Sequence, residues 1–219
     1  MRKLTALLVI LALSAFSTSI LAADEPTTDE KDVLEVNIFG GLSMPMSDLK
    51  NWHDTLGAKT GLNAGLHVGC FLTPNIVLGA TFSYNQYGIN NSSTLLEKQH
   101  HRIYSPAVYV KYHFFGTSSF VPFVEASAGA DFVKFSTLVT DEGSLKYREL
   151  GYKPAFAFGI AAGVFLYTSD FSGFFVQAGY HGSSTKNAWK DYQNTRYYFG
   201  KGTSQFYVNA GIQAMFGGK

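Results

Sequence analysis

A histidine two residues before a serine, His181-Gly182-Ser183, sets a general base beside a nucleophile, the pairing acyl hydrolysis uses. Such a pair also needs an acid to orient the imidazole. The closing segment 203–216 offers Gln205 and Asn209 but no Asp or Glu. Lys111 and Glu125 flank a short Gly/Thr/Ser turn, and pairing across it sets them opposite or one diagonal apart. That predicts an ion pair in a shared interior, where a buried charge needs a partner. The functional alternative is a gate that opens a narrow path when the pair exchanges partners. His67, His113 and His181 carry zinc-type nitrogens, but a metal site needs three ligands converging at about 2 Å, and their spacing supplies no such set. His100-His101 likewise lacks a third ligand, so no metal and no cofactor is expected. The stretch 184–202 gathers Lys186, Lys190 and Arg196 with Trp189 and Tyr197. Cations beside rings could grip phosphates or anchor a surface ligand.

The elements that must position these groups show a period of two. One stretch reads Leu62, Ala64, Leu66, Val68, Cys70, Leu72 on one face and Asn63, Gly65, His67, Gly69, Phe71 on the other. Another reads Phe206, Val208, Ala210, Ile212, Ala214, Phe216 against Gln205, Tyr207, Asn209, Gly211, Gln213. Alternation of this kind is β-strand. It recurs over 33–44, 61–72, 75–88, 102–115, 120–136, 153–167, 173–183 and 203–216, always with the apolar set on even numbers. Gly, Ser, Asn, Gln, His and scattered charges make a poor core for a soluble sandwich but a good barrel lumen. The even face is therefore expected outward, against lipid, and the odd face inward. Parity then turns both His181 and Ser183 into the lumen. It also sends Cys70, the single cysteine, towards lipid as a small apolar residue rather than a redox group.

Short connections (72–75, 116–119, 168–172) alternate with long ones (46–60, 89–101, 138–152, 184–202), as in barrels with turns at one end and loops at the other. Among 219 residues, aromatics make up 16% and charges 15%. Met1-Arg2-Lys3 followed by apolar Leu4 to Phe16 and small residues to Ala23 reads as a secretory signal peptide over 1–23. An acidic tail over 24–32 and a barrel over 33–219 complete the expected organisation. Removing Arg2 and Lys3 leaves 15 basic against 16 acidic residues, which speaks against nucleic acid as a partner.

The eight alternating strands, together with Asn209-Ala210-Gly211 through Ala214-Met215-Phe216, resemble the small outer-membrane β-barrel domain family, OmpX-like and OmpA-barrel-like. The resemblance implies an all-β fold: an eight-stranded antiparallel transmembrane up-and-down barrel in a Gram-negative outer membrane, with its termini in the periplasm. It further implies lipid and lipopolysaccharide around the barrel, the barrel-assembly machinery as partner during insertion, and a monomer. A structural, adhesion or surface-interaction role through the long loops is the expectation, without catalysis; a narrow channel or small-ligand barrel comes second. His181-Gly182-Ser183 resembles the motif of outer-membrane lipid A deacylases, which makes a lipid hydrolase the third reading.

Overall fold

The computed structural model describes residues 33–50, 57–89, 99–114, 120–141, 144–151, 153–169, 171–184, 189–190, 196–197 and 202–217. The expected signal peptide, the acidic tail and Lys186 lie outside the described residues.

The strands are β1 (Leu34–Met46), β2 (Gly61–Thr73), β3 (Ile76–Gly88), β4 (His100–His113), β5 (Phe120–Asp141), β6 (Ser144–Gly151), β7 (Ala155–Ser169), β8 (Ser172–Ser183), β9 (Trp189–Lys190), β10 (Arg196–Tyr197) and β11 (Thr203–Phe216), with one short helix, α1 (Ser47–Lys50). β1, β2, β3, β4, β5, β7, β8 and β11 pair in that order, all antiparallel, and β11 returns to β1. The ring is closed and has eight strands. Its stagger can be read from the register. Leu34 sits opposite Cys70, then Leu78, Val110, Ala126, Ile160, Tyr180 and Phe206, and the circuit returns at Met44, 10 residues up β1 from its start (44 − 34). With strands about 4.8 Å apart and about 3.3 Å per residue, that shear tilts them roughly 40° to the axis. Eight strands at this tilt leave an interior that side chains can just fill.

Parity holds around the ring. Leu62, Phe156 and Ile160 on the even face are 67%, 62% and 60% exposed, while Lys111 and Asp131 on the odd face are 1% and 0%. Ile38, Leu42, Val108, Val110, Phe158, Phe174, Val176 and Ile212 continue the exposed apolar belt. Phe114, Phe120, Phe171 and Phe216 stand exposed near the end where the turns and the β1 and β11 termini lie. A continuous apolar surface of this extent is stable against hydrocarbon and not against water. The barrel spans a membrane.

The lumen alternates rings with glycines for want of space. A Cβ on Gly65 would lie 2.3 Å from Phe39, and one on Gly163 would lie 2.5 Å from Phe123, because each ring lies flat across the neighbouring strand.

One feature departs from the sequence expectation. The region 138–152 is expected as a loop, but its residues 138–141 and Ser144–Gly151 are β-strand: β5 runs on past the barrel and pairs with β6 from Lys134↔Gly151 to Asp141↔Ser144. Pro106 lies within β4. The β4–β5 ladder breaks between Tyr104↔Phe132 and Ala107↔Gly129, where proline has no N–H to donate. At the mouth, α1 and Ala58 pack inward. Leu49 of α1 is fully buried, the Ala58 N–H donates to the Leu49 carbonyl at 2.8 Å, and Ala58 bridges Ile89.

Candidate functional site

The interior holds two separate polar clusters. The first surrounds Lys111. β4 and β5 place Lys111 directly opposite Glu125, as a hairpin pairing predicts. The ammonium nevertheless lies nearer Glu35 of β1, 2.5 Å from its Oε1, and 3.9 Å from Glu125 Oε2. Ring closure brings β1 across the lumen, and no local spacing in the sequence could show that. Glu35 also accepts from the Asn37 side-chain amide, and its Oε2 lies 3.7 Å from His113 Nε2. Glu125 Oε2 is 3.6 Å from His67 Nδ1. Three rings surround the same ammonium, with Tyr109, Phe123 and Phe165 centroids 5.2, 5.3 and 5.0 Å from Nζ. A desolvated cation–π contact contributes about 2 kcal/mol, so the lysine is held by both charge and rings.

Towards the turn end, Phe39, Val121, Phe123, Phe165 and Phe175 form one buried cluster with Tyr167 against it. Phe123 and Phe165 centroids are 4.6 Å apart, Phe165 and Phe175 5.3 Å, and His113 joins at 5.2 Å from Phe165. These side chains fill the cross-section below Lys111.

The second cluster lies nearer the mouth. His181 of β8 puts Nε2 2.9 and 3.0 Å from the two Asp131 oxygens on β5, and the Ser105 hydroxyl donates to Asp131 Oδ1 at 2.6 Å. The orienting carboxylate missing from the last strand is therefore present on another one. Reading only the closing strand could not reveal it. Ser183, however, shares its hydrogen bond with the Thr203 hydroxyl at 2.6 Å, and both it and His181 face the lumen. Both side chains thus lie on the opposite face of the sheet from the apolar belt. Above them the Tyr87 hydroxyl bonds Gln205 and lies 2.6 Å from Ser43 Oγ.

Between the clusters runs a cavity of about 40 Å³, lined among others by Asn63, His67, Glu125, Gln177, His181 and Asn209. Small side chains on β3, β4 and β5 (Thr81, Ser83, Ala107, Ser127) leave this room. His67, His113 and His181 do not converge on one point, and among the described residues no group of three or more His, Cys, Asp or Glu could hold a metal ion.

At the loop end, β9 and β10 pair with Trp189 opposite Tyr197 and Lys190 opposite Arg196. On the extended hairpin, Lys134 Nζ lies 2.6 Å from Glu149 Oε1, with Arg102 at 4.0 Å from Oε2. The Lys134 hydrogen bond holds the Glu149 carboxyl below its ordinary range.

Closed ring, apolar belt and packed lumen define the outer-membrane class of eight-stranded β-barrel. The chain is similar in fold to the crystal structure of Neisserial surface protein A (16% identity, TM-score 0.53, covering 85% of this chain and 97% of that one). It is similar also to outer membrane protein OprG from Pseudomonas aeruginosa (13%, 0.51, 86% and 97%). A third similar structure is outer membrane protein AlkL, determined in DMPC lipid bilayers (13%, 0.52, 89% and 94%). No family model and no curated protein matches the sequence. At these identities the likeness is one of fold.

Proposed function

We propose that this protein is a non-catalytic outer-membrane barrel that acts at the cell surface through its long loops, in a structural, adhesive or ligand-contacting role. The observation that carries the reading is the filled lumen. Rings close it at the turn end, ion pairs cross its middle, and Leu49 with Tyr87 caps the mouth. The belt is committed to lipid, so the loops are the free surface. The turns and both termini of the ring then belong in the periplasm and the β5–β6 hairpin outside. Lys186, Trp189, Lys190, Arg196 and Tyr197 are the residues assigned to contact lipopolysaccharide phosphates or a surface ligand. Replacing 185–201 by a short turn is expected to leave a folded barrel while weakening adhesion of whole cells to lipopolysaccharide-coated or host-cell surfaces. Adhesion unchanged after removal of each loop in turn overturns the reading.

A narrow channel is the second reading, favoured by Lys111 standing between two carboxylates, Glu35 and Glu125, that could exchange it. Planar-bilayer recordings decide. Discrete conductance that changes in Lys111→Ala supports a channel, and silence in both proteins removes it.

A further inference from the structure

The lumen is short of positive charge. Among the described residues, three carboxylates, Glu35, Glu125 and Asp131, are buried in the lumen with one lysine, Lys111. Glu35 has Lys111 at 2.5 Å, and Asp131 has His181 and Ser105. Glu125 has only the far side of Lys111, at 3.9 Å, and the His67 ring at 3.6 Å. Its Oε2 is buried and accepts no hydrogen bond. Glu125 also lines the cavity. So do Asn63, Gln177 and Asn209, each at least nine-tenths buried, and each with its side-chain oxygen (Oδ1, Oε1 and Oδ1) equally without a hydrogen bond. Four oxygens without a hydrogen bond, one of them from a carboxyl group, on residues that line one cavity are the kind of donor set a hard cation takes. Buried acceptors left unmet are costly, so something with positive character is favoured there.

The volume limits what fits. A water needs about 10–15 Å³ of such space, so about 40 Å³ takes one small ion with roughly two waters and excludes any organic ligand. The ligand types limit it further. Neutral amide oxygens plus one carboxylate suit a singly charged alkali ion; a divalent ion takes 6–8 oxygens and usually several carboxylates. We infer that the cavity between Glu125 and His181 is an internal site for a single alkali-metal cation, with Glu125 as its counter-charge and Asn63, Gln177 and Asn209 as neutral ligands. The groups facing it are Lys111 on β4, His67 on β2, and His181 with Asp131 behind it. Lys111 is drawn towards Glu35 and so leaves the site open on that side.

The test compares thermal unfolding of the detergent-solubilised barrel in potassium chloride and in choline chloride at equal ionic strength. Choline is too large for the cavity. A ligand bound only by the folded state raises its stability, and a midpoint about 2–4 °C higher in potassium is expected for the unsubstituted protein. The difference should vanish in Glu125→Gln. Equal midpoints in both salts overturn the proposal and leave the space to water alone. A potassium effect that persists undiminished in Glu125→Gln also overturns it, since the ion then binds elsewhere. Should Glu125→Gln fail to fold, anomalous scattering from thallium(I) in crystals of the unsubstituted protein decides. A peak among Glu125, Gln177 and Asn209 supports the site, and no peak there refutes it.

Discussion

The two halves of the lumen solve one packing problem differently. In the turn-side half, rings from β1, β5, β7 and β8 fill the section and rings from β4, β5 and β7 surround Lys111, so charge sits in a nearly apolar setting. In the mouth-side half, small hydroxyl residues on β3–β5 leave a cavity, and hydrogen bonds rather than packing hold Asp131, His181 and Ser105. An apolar setting penalises the loss of one member of an ion pair severely. A polar, roomy setting can admit water and soften the loss. The turn side is therefore the rigid half, and the mouth side the adaptable one.

That contrast can be broken at four points. Lys111→Met removes the cation shared by Glu35 and Glu125 and strands both carboxylates, so a loss of about 3–5 kcal/mol is expected in denaturant unfolding from vesicles. A loss under 1 kcal/mol would show that water already reaches the turn-side half. Phe165→Ala deletes the ring at the centre of the plug, and about 3–4 kcal/mol should go by the same measurement. Asp131→Asn, at the mouth, keeps shape and some hydrogen bonding to His181 and Ser105. About 1–2 kcal/mol is expected, and a cost equal to that of Lys111→Met would erase the distinction between the halves. The smallest effect lies outside the barrel. Glu149 is depressed by Lys134, so its contribution is present above the ordinary carboxylate range and fades as pH falls through its lowered value. An exposed pair is worth at most about 1 kcal/mol. Hydrogen-exchange protection factors in β6, corrected for the intrinsic rate, should fall on acidification below about pH 4, and Lys134→Ala should abolish most of that dependence.

Much of this was readable in the sequence. Parity alone separates the Leu62–Leu72 face from the Asn63–Phe71 face and turns His67, Lys111 and His181 inward. It also sets Lys111 against Glu125, because a hairpin pairs residues by local counting. Glu35 as the nearer partner, and Asp131 as the acid of His181, depend on closing the ring with a particular shear. That is a global quantity no short window contains. The β5–β6 pairing leaves no such signal: 138–152 carries turn residues and charges, and a strand that runs on past the barrel need not keep the alternation that a bilayer imposes.

The pairing of β1 with β11 joins Leu34 to Phe216 and Met46 to Ser204, the most sequence-distant contacts in the ring. Hairpins between neighbouring strands can form as soon as both are present, but this junction must await the last strand, with the closure entropy of nearly the whole chain against it. The clock for assembly is therefore set at a single zip. Until it closes, β1 and β11 each present a bare row of backbone donors and acceptors. Shielding those two edges is the task that any helper escorting this chain has to perform.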